Sequence, residues 1–245
     1  MRILSYNIRR GGAGREAPIA SVIRSVAPDI VILEEATRPD VVERIAREAA
    51  MTQWSSRAGK SLAFMSRVPI ASFEAHRPRI SRHAFLELVP ADGNWRIFGV
   101  HLSAVHAAWT ERRRSLELRA LLREVAAHQH GPHVLIGDFN TVAPGDIFDL
   151  TRLPRRLRAL VWLSGGHIRW RTIADVLAHG YIDTFRKLHP ADVGYTLPTP
   201  DPHVRLDYAF VPGAFAQQVQ RCEIVKAPDA AAASDHFPLL LEIAD

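Results

Sequence analysis

A single cysteine, Cys222, excludes an internal disulfide framework and, with no thiol partner, a cysteine-based metal site. It reads as an ordinary strand residue. Long apolar runs are also missing. None approaches the ~18 residues of a membrane span, and the N-terminal MRILSYNIRR enters a strand-like run without the apolar core of a signal peptide. A soluble, cytoplasmic protein with no membrane anchor is expected. There is no repeat, no Gly/Ser linker and no break in composition, so residues 1–245 read as one domain. Nothing points to a protein partner. A hydrophobic fraction of 47% and a charged fraction of 23% are those of a folded chain and exclude a disordered one. Acidic residues are in the minority, 26 against 31 Lys and Arg, for a formal charge of +5. That excess favours an anionic partner, because cationic side chains neutralise phosphate and release counterions, although an Arg-rich composition has other origins as well.

What the chain does have is many short β-type runs: Arg2 to Tyr6, Ile30 to Leu33, Leu62 to Met65, Phe85 to Val89, Arg96 to His101, His133 to Ile136, Leu206 to Val211 and Pro238 to Ile243. Between them, apolar residues spaced i, i+3, i+4, i+7 predict amphipathic helices through Ile19–Val26, Val42–Ala49 and Leu118–Val125. Pro18 and Pro39 suit first-turn positions, and Thr110 is a candidate N-cap for the third helix. Leu153 to Ala178 mixes basic and aromatic residues around Gly165-Gly166 and reads as a helix, a turn and a second short helix, a helical insertion at about 150–180.

Polar residues recur where these strands end. Asn7 closes the first run ahead of Gly11-Gly12, and its amide could orient a water or an acidic ligand, although an Asn before a turn is commonly structural. The run Ile30 to Leu33 ends in Glu34-Glu35. Two carboxylates at the end of a buried strand are costly unless paired or metal-bound, yet taken alone this segment reads more simply as the start of a solvated loop. Asp138 and Asn140 follow Val134 to Ile136, on one side at a strand's period of two. Asp207 lies within a later strand, and Asp235-His236 precede the last one. An acid beside a histidine fixes its tautomer and raises its basicity, and a satisfied core histidine would look the same locally.

Taken in order, Ser5 to Gly12, Val31 to Glu35, Phe64 to Ile70, His101-Leu102, Gly137 to Asn140, Arg205 to Tyr208 and Ser234 to Pro238 resemble the endonuclease/exonuclease/phosphatase superfamily, which includes deoxyribonuclease I, exonuclease III-type abasic endonucleases, neutral sphingomyelinases and inositol polyphosphate phosphatases. Glu35 falls at the family's metal position, and Glu34 stands where the family's Leu-Gln-Glu motif has Gln. The resemblance implies an α+β fold, a four-layer α/β/β/α sandwich of two mixed sheets flanked by helices. It implies Mg2+ or Mn2+ at Glu35, with Asn7 and Asp235 completing or orienting the shell. Asp138 and Asn140 would face the attacking water and a phosphate oxygen. His236, oriented by Asp207, would act as general base or as hydrogen-bond donor to the phosphate, with Asp138 as the alternative base.

Departures bear on the substrate. His101 resembles the histidine of the deoxyribonuclease, sphingomyelinase and phosphatase branches, and the abasic-endonuclease motifs are missing, since Glu35 is followed by Ala36-Thr37-Arg38. Arg112-Arg113-Arg114 reads as a solvated helix face, from which Arg112 is the candidate to reach substrate phosphate. Arg169, Trp170 and Arg171 would stack on bases and neutralise phosphates, or would simply pack the insertion onto the sandwich. The proline-rich loop Thr196 to His203 suits a preshaped rim. The leading expectation is a metal-dependent nuclease or phosphodiesterase acting on DNA or RNA. The alternatives are a phosphatase or phosphodiesterase on a small phosphoester or phospholipid headgroup, and an inactive nucleic-acid-binding scaffold.

Overall fold

The computed structural model describes residues 1–79, 81, 83–104, 108–128, 131–147, 149–153, 155–163 and 170–244. Its frame is two six-stranded sheets. In the first the strand order is β11 (Val219–Ile224), β12 (Leu239–Ile243), β1 (Arg2–Asn7), β2 (Ile30–Glu34), β4 (Ala63–Ser66) and β3 (Gln53–Ser55). In the second it is β5 (Ile70–His76), β6 (Phe85–Pro90), β7 (Arg96–His101), β8 (His133–Asp138), β10 (Asp207–Pro212) and β9 (Tyr181–Asp183). Each sheet has one parallel pair, β1 with β2 and β7 with β8, and is otherwise antiparallel. Both are therefore mixed, as the resemblance implied.

The strand period of two sorts the core into layers. Ile3, Ile30, Ile32 and Leu241 from one sheet meet Leu88, Ile97, Ile136, Ala209 and Val211 from the other in a central layer. The alternate residues Leu4, Tyr6, Val31, Leu33 and Leu240 face outward onto α1 (Glu16–Val26), α2 (Pro39–Glu48) and α7 (Ala230–Ala233). On the other side Phe98, Val100, Leu135 and Phe210 face α3 (Ala108–His128) and α5 (Arg171–Ala178). Each fully buried Leu, Ile or Phe contributes on the order of 1.5–3 kcal/mol, so these three layers fix the sandwich. Two shorter helices, α4 (Arg155–Leu163) and α6 (Thr184–Leu188), complete the set among the described residues. Among the described residues, no helix is long and apolar enough to cross a membrane.

Two local expectations fail. Pro39 does occupy the first turn of α2, but α3 begins at Ala108, so Thr110 lies inside its first turn and is not the N-cap. Arg114 is not on a solvated face: it is 1% exposed and ion-paired to Glu111 at 2.8 Å. Arg112 and Arg113 are exposed, and Arg113 pairs with Glu117.

The topology also decides where polar strand ends meet. Parallel strands point the same way, so the C-terminal ends of β1, β2, β7 and β8 gather at one rim with Asn7, Glu34, His101 and Asp138. The neighbouring β10 and β12 run antiparallel to β8 and β1, so they start at that rim, next to Asp207 and His236. Gly137 lets β8 reach it in register with β7. Its φ is 149°, and a Cβ there would lie 1.9 Å from the Val100 carbonyl oxygen.

Candidate active site

Inward-facing register places Ser5, Asn7, Glu34, Asp138 and Asp207 between the two sheets at the rim. Asp138 and Asp207 sit directly opposite each other on the antiparallel pair β8 and β10. Two like charges in that relation repel, and both are buried. His236 answers one of them: its Nδ1 is 2.9 Å from Asp207 Oδ2 and 3.2 Å from Oδ1. Asn7 answers the other, donating from Nδ2 to Asp138 Oδ2 at 3.0 Å, and it also reaches Glu35 Oε1 at 3.4 Å. Glu35 leaves the end of β2 with φ 56°, which swings its carboxylate to the rim, where the backbone N–H of Arg10 donates to Oε2 at 2.6 Å.

Asn140 lies beside Asp138, though not through strand alternation as the sequence spacing suggested. Strand β8 stops at Asp138. Asn140 turns back in a left-handed conformation (φ 53°), donating its backbone N–H to Asp138 Oδ1 at 2.8 Å and its amide to the Leu102 carbonyl at 3.1 Å. His101 ends β7 with Nε2 3.9 Å from Asp138 Oδ2. Two residues that the sequence did not single out hold it. The Ser61 hydroxyl is hydrogen-bonded to His101 Nδ1 and accepts from Glu35 N–H at 3.2 Å, and the His83 ring stacks on the His101 ring at 4.8 Å. Neither carries a local signal, because each meets His101 only through the fold. At the mouth, Arg9 pairs with Asp235 at 3.1 Å. The proline-rich loop backs the histidine segment, with Thr199 N–H donating to the Asp235 carbonyl and Phe237 N–H to that of Thr196.

Burial shapes the electrostatics. Above all it pushes the Asp138 carboxyl up, to about 7; the Asp207 carboxylate adds to the rise, and His236, the Asn140 N–H and the Asn7 amide oppose it. For His236 burial disfavours the charge, but the ion pair with Asp207, helped by Asp138 and Asp235, raises its pKa to about 10. Asp207 thus favours the imidazolium form of the ring, and burial favours the protonated form of Asp138.

Glu34 does not open a solvated loop. It is 0% exposed, its Oε1 accepts from Ser5 Oγ at 2.8 Å, and its Oε2 has no partner among the described residues. Burial, and then the nearby Asp207, raise its pKa well above the carboxylate range, so the folded state favours the neutral acid. The stability this contributes is complete below the ordinary carboxyl pKa and is lost as pH rises through the raised one. Glu34→Gln should therefore stabilise the metal-free protein by about 1–3 kcal/mol at pH 8 and by much less at pH 5, read as thermal melts in EDTA. Equal shifts at both pH values would refute it.

Three buried carboxyl groups, Glu34, Asp138 and Asp207, thus converge with the buried His236 ring. Asp138, Asp207 and His236 each offer a donor atom within 4.8 Å of the others, and Glu35 and Asn7 adjoin them. An oxygen-rich set with an unpartnered buried carboxyl oxygen on Glu34 fits a hard divalent cation, whose charge would draw these carboxyls into their ionised form. The structure does not bring every sequence candidate to this centre. Arg112 is exposed on α3, Trp170 and Arg171 are exposed at the start of α5, and Arg169 lies outside the described residues.

No curated protein sequence is significantly similar to the chain. Among solved structures, an abasic-site (AP) endonuclease from Archaeoglobus fulgidus superposes with a TM-score of 0.75 at 16% identity, covering 100% of both chains. A 3′ phosphatase from Neisseria, bound to a product DNA hairpin, gives 0.73 at 19%, again over 100% of both. An endonuclease/exonuclease/phosphatase from Beutenbergia cavernae gives 0.71 at 21%, covering 98% of this chain and 70% of that one. These likenesses establish the fold, and the sequence itself matches a family model over residues 4–236, a span that contains every residue of the centre: the chain belongs to the Endonuclease/Exonuclease/phosphatase family.

Proposed function

We propose that the protein hydrolyses phosphodiester bonds in nucleic acid with the help of Mg2+ or Mn2+. Enzymes of the family are divalent-metal-dependent phosphoester hydrolases, and the observation that carries the reading is the facing Asp138–Asp207 pair with His236 bonded to Asp207. Glu35, with Asn7 and Asp235, would hold a cation that supplies Lewis-acid charge for a phosphoryl oxygen and the leaving group. Asp138, its pKa near 7, takes the proton from the attacking water. Asn7 and the Asn140 N–H hold that carboxylate in place. His236, kept as an imidazolium by Asp207, donates a hydrogen bond to the phosphate, where negative charge develops. His101, fixed by Ser61, offers a further ring nitrogen on the same side as Asp138. The formal charge of +5 suits a polyanionic substrate, and the relative from Neisseria is bound to DNA.

Plasmid nicking, an oligonucleotide ladder and turnover of bis-p-nitrophenyl phosphate, each with Mg2+, Mn2+ or EDTA, test the reading. Hydrolysis should vanish in EDTA and return with excess Mg2+ or Mn2+. Turnover of small phosphoesters without any nucleic-acid cleavage would overturn the substrate assignment. No hydrolysis in any arm would leave a scaffold that binds but does not cut.

A further inference from the structure

Beside the catalytic centre the two sheets part at the edge formed by β3 and β4 on one side and β5 and β6 on the other, leaving a cleft of about 690 Å3. Its wall is apolar, made by Leu62, Phe64, Phe73 and Leu86. Phe73 is 47% exposed on the edge strand β5, and it leans on Phe64 with ring centroids 4.9 Å apart. The rim is cationic: Arg57, Lys60 and Arg77 are exposed and form no ion pair among the described residues, against one acid in the lining, Glu74. The cleft also continues into the catalytic centre, because two of its lining residues, Ser61 and His83, are the ones that touch His101.

We infer that this cleft is a subsite for an unpaired nucleotide adjoining the phosphate that is cut, its base stacked on Phe73 and its flanking phosphate met by Arg57, Lys60 and Arg77. The inference rests on the nucleic-acid reading above and deepens it. An aromatic ring stacks on any base, while cations track the backbone, so the pair of features suits single-stranded nucleic acid without fixing its sequence. A pocket of this volume takes a group of nucleotide size enclosed on several sides. A base inside an intact duplex is stacked and paired, and entering the cleft would require unpairing it at a cost. The substrate class is therefore single strands, overhangs and frayed ends, in preference to the interior of a duplex.

The test is equilibrium binding of the full chain in EDTA, by fluorescence anisotropy, to a labelled single-stranded tetranucleotide and to the same strand with an abasic spacer at each inner position in turn. One spacer position should weaken binding by roughly 5–100-fold, the range given by loss of one stacked base. Phe73→Ala should lose as much on the intact strand and be indifferent to that spacer, while Phe73→Trp should keep the discrimination. Arg57→Ala with Lys60→Ala should weaken all strands alike and flatten the salt dependence. If no spacer position matters to the wild-type protein, or Phe73→Ala remains sensitive to it, the subsite is refuted. The cleavage assays separate the two readings: cutting without base dependence overturns the cleft alone, and base-dependent binding without cutting overturns the hydrolase alone.

Discussion

Asp138→Asn is expected to lower kcat on an oligonucleotide by about 10²–10⁴-fold, the usual worth of a positioned proton acceptor, and at the same time to raise the melting temperature in EDTA. The two effects have one cause. Asp138 faces Asp207 in register inside the sandwich, and burial has already pushed its carboxyl to about 7. The same strain that makes it a good acceptor at neutral pH makes it a burden on the fold. An amide of the same shape removes the repulsion and the acceptor together, so activity falls as stability rises. A merely structural Asp138 would lose both, and that outcome would dismiss it as the base. The pH profile carries the same assignment. Rate should climb as Asp138 loses its proton, with an acid limb at or below about 7, since a bound cation lowers that value further. It should decline at high pH as the His236 imidazolium, near 10 without metal, discharges. His236→Ala should cost roughly 10²-fold or more and remove the alkaline limb.

Arg114→Ala should destabilise the protein by about 3–5 kcal/mol, the cost of leaving a buried charge without its partner. Glu111 is 3% exposed and ties α3 to the start of α5 and to the loop after β8. Its Oε1 accepts from the Thr172 N–H and hydroxyl at the start of α5, and its Oε2 from Arg114 and the Thr141 hydroxyl beside Asn140. Arg114 also donates to the Ser103 carbonyl just past His101. Removing the guanidinium strands Glu111 and loosens the segments behind both His101 and Asn140, so chemical denaturation should show the loss and turnover should fall with it. Adding Glu111→Gln should recover part of the stability. If Arg114→Ala costs less than 1 kcal/mol, this knot does not hold the helix.

Such pairings mark the limit of what the sequence reveals. The strands that carry the site were legible, because a buried strand ending in a carboxylate is an expensive arrangement that function explains. Of the four sheet edges, β3, β5 and β9 went unread, and β11 was legible only at Cys222. An edge strand is paired on one side only and can be short or polar, so it lacks the alternation that reveals a central one; most of β5 is exposed along its length. Charge state was harder still. Arg114 reads like its exposed neighbours, and only its position against Glu111 buries it. Glu34 reads as a loop residue, and only the inward register of β2 draws it beneath the site. Ser61 and His83 reach His101 through tertiary contact alone.

The pairing of the first strand with the last has a consequence for biosynthesis. Asn7 lies on β1 and His236 on the segment that leads into β12, so the centre joins residues 229 positions apart, and the Ser234 hydroxyl donates to the Asn7 carbonyl to close it. Chain synthesis proceeds from the N-terminus, and contacts of such long sequence separation form late. A nascent or prematurely ended chain thus carries Asn7, Glu35 and Asp138 without His236, and the cluster can assemble only once β12 has closed the sheet against β1.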